Sequence, residues 1–127
     1  MTCIFCHKLM PEQTLYENEH FKVIFDIDPI QTGHLLIISK EHVESLTELP
    51  LAIRHELIDL EAELITLLET TLPIDGVTIA SNDKGLMDTG THFHVHLIPR
   101  LKNDGFWDSI NPALENWDLT NFLSSLH

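Results

Sequence analysis

Residues 91–99, Thr-His-Phe-His-Val-His-Leu-Ile-Pro, constrain this chain more than any other stretch. Three histidines, His92, His94 and His96, alternate here with apolar residues. Because successive side chains of a β-strand point to opposite faces, the spacing predicts a strand with imidazoles on one face and an apolar face against a core. A row of imidazoles can bind a metal, move protons or attack an electrophile. The simpler interpretation is a surface strand that happens to be rich in histidine.

The composition is that of a globular domain that can bury its own core. Of the 127 residues, 43% are hydrophobic and 21% are charged, which is typical of folded chains rather than disordered ones. No apolar run is long enough to cross a membrane, and the first residues lack the features of a signal peptide, so we expect one cytoplasmic domain over residues 1–127. The net charge of −13 argues against nucleic-acid polymers and anionic membranes as partners, although a few local donors can still hold a small anion.

Hydrophobic periodicity predicts an α+β fold with a mostly antiparallel sheet, one long helix and a short C-terminal helix. The unbroken apolar run within residues 34–39 is typical of a central strand that is covered on both faces. The long helix is predicted over residues 49–70, with Thr47 as its N-cap and Pro50 in its first turn. The short helix is predicted over residues 118–126, with Asp118 as its cap. Further strands are predicted at residues 14–17, 21–28 and 77–81. Four histidines are expected to face solvent: His7, His20, His55 and His127.

Cys3 and Cys6 form a Cys-x-x-Cys motif near the N-terminus. In a reducing compartment this motif indicates a metal site or a redox pair more than a structural disulfide. A thioredoxin-like redox motif would follow a strand, which the two residues before Cys3 cannot supply. A tetrahedral zinc needs two more ligands, for which we predict His42 and His92. A closed site of four protein ligands would be structural and would tie the N-terminus to the sheet.

The remaining histidines of the row could carry out covalent catalysis. Neutral imidazole is a good nucleophile towards phosphorus, and a phosphoryl-histidine intermediate divides one displacement into two easier steps. Alternatively, all three histidines could bind one open, hydrolytic zinc. His92 and His96 would then lie roughly 13 Å apart along a strand, which is too far for one ion. The spacing therefore favours a division of labour, with one histidine at a structural zinc and another in the chemistry.

Residues 92–98 follow the pattern His-φ-His-φ-His-φ-φ, in which φ is apolar. With this pattern the chain resembles the HIT (histidine triad) superfamily. Further segments, at residues 3–6, 25–29, 33–42 and 98–100, resemble the family in the same order along the chain. The resemblance covers about residues 1–105.

The resemblance implies a two-fold homodimer and a small-molecule nucleotide substrate whose α-phosphate lies at the histidine triad. It implies that His94 is the nucleophile and forms a nucleotidyl intermediate. His96 and His34 would lie beside it, orient it and contact the phosphate. The other implied substrate contacts are Asp26 with the ribose hydroxyls, Asn82 with the phosphate or leaving group, and Thr89 near the leaving atom.

The zinc-bearing branch of the family resembles this chain at Cys3, Cys6, His42 and His92, which implies one structural zinc per chain and no catalytic metal. The implied function is a hydrolase or nucleotidyl transferase that attacks the α-phosphate of nucleoside phosphoramidates or dinucleoside polyphosphates. Two other hypotheses stay open. The chain could be a nucleotide-binding regulatory module with weak or lost catalysis, or a hydrolase that depends on zinc.

Two positions just before the triad depart from the family pattern. Asp88 stands where the family usually has Gln, and Gly90 stands where it usually has an apolar residue. A carboxylate close to a phosphate repels it unless it is protonated or points away. We expect Gly90 to loosen the same loop. Both changes fall where a leaving group would bind, so they bear on the choice of substrate.

Overall fold

The computed structural model describes residues 2–126, which form a five-stranded antiparallel sheet with a long helix against one face. The strands are β1 (Tyr16–Glu17), β2 (Phe21–Phe25), β3 (Leu35–Ser39), β4 (Gly76–Ala80) and β5 (His94–Arg100), in the spatial order β1-β2-β3-β5-β4. The helices are α1 (Ile4–His7), α2 (Leu51–Thr71) and α3 (Thr120–Ser125). Short 3-10 turns lie at Pro11–Gln13, Leu46–Glu48, Lys84–Leu86 and Trp107–Ser109. The predicted fold class is confirmed.

Strand β3 is the central strand, as predicted, and all of its residues are buried. On one face Leu35 and Ile37 join the main core beneath α2. On the other face Leu36 and Ile38 pack with Phe5 and Leu9 of the N-terminal segment. The N-terminal segment therefore covers the sheet face opposite the long helix.

The apolar side of β5, together with Phe93 just before the strand, faces the long helix and fixes the position of the histidines. Phe93, Val95 and Leu97 are at most 3% exposed and belong to the same core cluster as the buried leucines of α2. Those leucines are Leu57, Leu60, Leu64 and Leu68. The pairing of β3 with β5 sets His94 opposite Ile38 and His96 opposite Leu36. Since side chains alternate along a strand, both histidines lie on the face that the N-terminal segment covers.

Two strand boundaries near the candidate site differ from the prediction. Strand β5 begins at His94, so His92 lies in the irregular residues before the strand. Strand β2 ends at Phe25 rather than at residue 28, because the Asp28 backbone N–H donates to Asp26 Oδ1 at 2.9 Å and turns the chain. Aspartate favours turns because its side chain can accept a hydrogen bond from the backbone N–H two residues later.

The predicted N-cap of the long helix is wrong. Thr47 belongs to the 3-10 turn Leu46–Glu48, in which Ser45 accepts a hydrogen bond from the Thr47 backbone N–H. Helix α2 begins at Leu51 with Pro50 as its N-cap residue. Pro50 therefore lies just before the first turn rather than in it as predicted, where its missing N–H removes no helical hydrogen bond because the first N–H groups of a helix are unpaired.

Two of the other histidines face solvent as predicted, whereas His20 is only partly exposed and is paired with Glu56. His7 and His55 are exposed. His20 is about two-fifths exposed, and its Nδ1 lies 2.5 Å from Glu56 Oε2, which joins the β1–β2 turn to α2. The prediction for His127 lies outside the described residues.

The C-terminal part from residue 107 to 126 is exposed. Helix α3 is shorter than predicted, and its N-cap residue is Leu119 rather than Asp118. Asp118 still accepts a hydrogen bond at Oδ1 from the backbone N–H of Thr120, the first residue of the helix, at 3.0 Å. Within residues 2–126, no helix has the length and apolarity that crossing a membrane requires.

Candidate functional site

The N-terminal segment brings Cys3 and Cys6 together with His42 and His92. Their potential ligand atoms all lie within 4.8 Å of one another. Cys3 Sγ is 3.1 Å and Cys6 Sγ is 3.6 Å from His92 Nδ1, and Cys6 Sγ is 3.3 Å from His42 Nδ1. The usual zinc–sulfur and zinc–nitrogen bond lengths place ligand atoms about 3.5 Å apart around a tetrahedral ion. The four side chains therefore fit a zinc ion.

His92 is oriented for metal binding by its other ring nitrogen. Its Nε2–H donates to the carbonyl oxygen of Ser39 at 2.5 Å, which leaves Nδ1 as the unprotonated nitrogen towards the cysteines. A second hydrogen bond of this type is the usual support of a histidine ligand. Burial lowers the pKa of His92, which keeps the ring in the neutral form that a metal requires.

A separate chain of hydrogen bonds links His34 to His96. The Ile30 backbone N–H donates to His34 Nδ1 at 3.1 Å, so His34 carries its ring proton on Nε2. That Nε2–H lies 2.9 Å from His96 Nδ1, which must accept it. His96 therefore carries its own proton on Nε2 and presents it as a donor. Because the His34 nitrogen in this contact is protonated, the arrangement favours a hydrogen-bond network over a metal held by these two rings.

His94 differs from His96 in the ring nitrogen that carries the proton. Its Nδ1–H donates to the carbonyl oxygen of His92 at 2.7 Å, which assigns the free lone pair to Nε2. The ring is 6% exposed, and its centroid lies 4.9 Å from that of His96 and 5.0 Å from that of Phe5. The site thus pairs an unprotonated ring nitrogen on His94 with a ring N–H on His96.

Burial and crowding keep the His34 and His96 rings neutral near physiological pH. Burial lowers the pKa of His96 to about 4, and the neighbouring His94 and His34 add to this effect. Burial also lowers the pKa of His34, although the Asp26 carboxylate opposes the shift. Asp26 Oδ2 lies 3.4 Å from His34 Nε2 and 3.8 Å from His96 Nδ1.

The low pKa of His96 predicts how the stability of the fold depends on pH. The unfolded chain protonates His96 near pH 6.5 and the folded protein only near pH 4, so between these values the unfolded state binds more protons. Stability therefore falls as the pH drops through this window. Between pH 7 and pH 4 we expect the free energy of unfolding to fall by about 3 kcal/mol less in His96→Gln than in the wild type.

Urea denaturation of both proteins at pH 7 and pH 4 measures the two losses. The exposed His55, changed to Gln, is the matched control and should leave the wild-type pH dependence intact. Equal pH dependence in His96→Gln and the wild type would contradict the assignment.

The histidines line a cavity of about 360 Å³ between the N-terminal segment and the sheet. Of the predicted substrate contacts, Asp26, Thr89, His94 and His96 line this cavity. His34 lies behind His96 and is 1% exposed. Asn82 is not among the lining residues within the described part of the chain. The prediction that placed it at the phosphate thus has no structural support here.

Several lining residues escaped the sequence analysis. Phe5, between the two cysteines, packs edge-on against both His92 and His94. An aromatic residue inside a Cys-x-x-Cys motif could have indicated that the knuckle forms part of the cavity wall. Other lining residues are Ile4, Lys8, Leu9, Gln13, Ile24, Ile27, Asp28, Leu36 and Thr91.

Gly90 anchors the loop rather than loosening it. Its backbone has φ of +85°, a left-handed conformation that side chains rarely adopt. Its carbonyl oxygen accepts a hydrogen bond from the Ile4 backbone N–H at 2.6 Å. An added Cβ would also meet the Thr2 carbonyl oxygen at 3.4 Å. The glycine thus joins the N-terminal segment to the loop before β5.

The match to a family model decides the relationship to known proteins. The model described as the HIT domain matches residues 7–103 of this chain. The chain belongs to the HIT family. Among curated relatives, Protein hit of Bacillus subtilis is 30% identical over 132 aligned residues, which cover 98% of this chain and 91% of that protein.

Two further HIT proteins bear on the chemistry. A Zn-bound histidine triad family protein from Mycobacterium smegmatis superposes with a TM-score of 0.71 and is 31% identical, over 87% of this chain and 84% of that one. Adenylylsulfatase HINT3 of Arabidopsis thaliana is 30% identical over 112 residues, which are 84% of this chain and 56% of that protein. The family therefore includes a zinc-bound structure and a hydrolase.

Proposed function

We propose that this HIT protein is a nucleotide hydrolase or nucleotidyl transferase that works through a covalent nucleotidyl-His94 intermediate. Its substrates would be nucleoside phosphoramidates or dinucleoside polyphosphates, attacked at the α-phosphorus. One observation carries this proposal: the Nδ1–H of His94 is bound to the His92 carbonyl at 2.7 Å, so Nε2 is the free nucleophilic nitrogen of a ring that lines the cavity. Holding the nucleophile in place supplies much of the rate enhancement of such reactions.

The reaction has two steps. In the first, the lone pair of His94 Nε2 forms a bond to the α-phosphorus and the bond from phosphorus to the leaving group breaks. The leaving atom takes the electron pair of that bond, and an amine nitrogen also takes a proton from solvent. In the second, water attacks the same phosphorus, the bond to Nε2 breaks, and the water gives up a proton as the nucleoside monophosphate leaves. The Nε2–H of His96 would donate to a phosphate oxygen in both steps. Asp26 would hold the ribose, and Thr89 would lie near the leaving atom.

Cys3, Cys6, His42 and His92 would hold one structural zinc per chain. When bound, zinc would tie the N-terminal segment to the sheet and so keep Phe5 against His94. All four positions around the ion would be taken by protein, which is typical of structural zinc sites and leaves no place for substrate. We therefore assign the chemistry to His94 and not to a metal.

A two-fold homodimer is part of the proposal. The outer surface of α2 exposes the apolar side chains Leu51, Ile58 and Leu67. An open groove of about 570 Å³ runs between α2 and β4, with mostly apolar lining that includes Leu57, Ile58 and Ile79. An exposed apolar face of this kind supports pairing with a second copy. We also expect the protein to act in the cytoplasm and on small molecules rather than nucleic-acid polymers.

One observation favours a second candidate, a nucleotide-binding module with little or no catalysis. Asp88 lines the cavity beside the histidines, where a carboxylate opposes an incoming phosphate. Calorimetry with a nucleoside monophosphate, paired with turnover assays on a phosphoramidate and a dinucleoside polyphosphate, separates the two functions. We expect binding together with turnover of at least one substrate class. Binding without turnover of either class would favour the regulatory module.

A further inference from the structure

Asp88 is a charged residue of the cavity that the proposed chemistry does not use. It lies on the exposed rim of the cavity, which His94 and His96 also line. Its backbone carbonyl accepts hydrogen bonds from the Thr91 N–H at 3.2 Å and from the Thr91 hydroxyl at 2.7 Å, so its loop has a defined turn. None of the ion pairs within residues 2–126 involves Asp88. Its carboxylate is therefore free to interact with a ligand.

The other charged residues of the cavity come from different segments. Asp26 is engaged with His34 and His96 and also accepts the backbone N–H of Asp28 at the end of β2. Lys8 follows α1. Asp88 and Thr89 instead enter from the loop before β5. Asp88 lines the same cavity as His94 and His96, and its carboxylate acts to raise the pKa of His96 against the larger lowering effects of burial and of the neighbouring histidines.

The position of Asp88 relative to a substrate follows from the geometry of displacement. The attacking and leaving atoms lie roughly in line on opposite sides of the phosphorus. With His94 as the nucleophile and the ribose at Asp26, the leaving group extends to the loop that carries Thr89 and Asp88. This step rests on the proposed function. A carboxylate there attracts a positive leaving group and repels a negative one.

We infer that Asp88 makes the site selective for nucleoside phosphoramidates whose leaving amine carries a positive charge, such as the amides of diamines or of basic side chains. His94 Nε2 forms its bond to phosphorus while the phosphorus–nitrogen bond of the substrate breaks. The electron pair of that bond and a proton from solvent go to the departing nitrogen, which leaves as an amine and is protonated to an ammonium ion. The Asp88 carboxylate stabilises the positive charge of this group. Leaving groups that depart as anions, such as sulfate or phosphate, meet repulsion at the same place.

Three adenosine phosphoramidates of matched size test the inference, with ethylenediamine, propylamine and glycine as the leaving amines. They place a positive, a neutral and a negative charge at the far end of the leaving group. We expect kcat/KM of the wild type to fall in that order, with about tenfold between the cationic and the anionic substrate. In Asp88→Gln this ratio should collapse to near unity. In the wild type it should shrink as salt is added, because the rim is exposed and salt screens it.

Asp28→Asn is the matched control, since it neutralises another carboxylate of the same cavity at the ribose end. We expect it to change all three substrates by the same factor and to preserve their ratio. A wild-type ratio that is flat or favours the anion overturns the inference, and so does an unchanged ratio in Asp88→Gln. If turnover with a flat ratio is observed, the proposed function survives and only the role of Asp88 fails. If none of the three is cleaved and no adduct forms on His94, the proposed function and the inference fail together.

Discussion

Replacing His94 by Ala is expected to abolish covalent labelling by a nucleotide substrate and to lower turnover by roughly 10³-fold or more. The reason is that His94 Nε2 keeps a free lone pair, whereas the unprotonated Nδ1 atoms of His34 and His96 are already occupied as hydrogen-bond acceptors. His96 presents an N–H at the same place and cannot substitute as a nucleophile. Steady-state turnover and gel detection of a labelled nucleotide on the protein measure the two effects.

Chemical rescue separates loss of the nucleophile from loss of the fold. In His94→Gly, free imidazole can occupy the space of the missing ring. It should restore turnover without restoring the label on the protein. His55→Ala removes an exposed histidine on α2 and should keep both activities. Normal labelling of the folded His94→Ala protein would contradict the assignment of His94.

Removing a metal ligand is expected to destabilise the fold strongly. If zinc binds only the folded state, free zinc at a thousand times its Kd stabilises the fold by about 4 kcal/mol. We therefore expect Cys3→Ser or His42→Ala to lower the melting temperature by roughly 10–20 °C. The zinc content of the purified protein should fall from about one per chain to near zero. Metal analysis and thermal denaturation provide the two readings.

His7→Ala controls for the loss of a nearby exposed histidine that is not among the four ligands. It should keep both the zinc content and the melting temperature. A chelator should act like the substitutions, lowering stability first and activity only as the N-terminal segment detaches from the sheet. Zinc-free protein of unchanged stability would contradict a structural zinc. Loss of all turnover from a chelated protein that is still fully folded would favour a hydrolase that depends on zinc.

The overall fold could be predicted because its main signals are local. The apolar run at β3 and the long periodic segment of α2 each identify their element without reference to the rest of the chain. The ends of elements depended on distant partners instead. His92 leaves the strand because Cys3 and the Ser39 carbonyl hold its ring, and both are far away in sequence. Thr47 is not the N-cap of α2 because it lies in a 3-10 turn. The cap of that turn, Ser45, donates a hydrogen bond to Asp83 of a later loop.

The candidate site, too, could be predicted from the sequence only in part. The cluster of Cys3, Cys6, His42 and His92 follows from ligand chemistry and spacing, and the structure brings the four side chains together. The protonation pattern of the triad could not be read from the sequence. It depends on the Ile30 backbone N–H and the His92 carbonyl, whose positions only the folded chain defines. The effect of Gly90 was mistaken for the same reason, since its hydrogen bond partner is the Ile4 backbone.

Mapping the covalent intermediate by mass spectrometry tests the central claim most directly. The wild-type protein would be mixed with an adenosine phosphoramidate, quenched at alkaline pH to protect the phosphorus–nitrogen bond, and digested. We expect an adduct of one nucleoside monophosphate on the peptide that contains His94, with fragment ions that place it on His94 rather than on His92 or His96. An adduct on another histidine, or rapid turnover with no adduct at any quench time, would contradict covalent catalysis by His94.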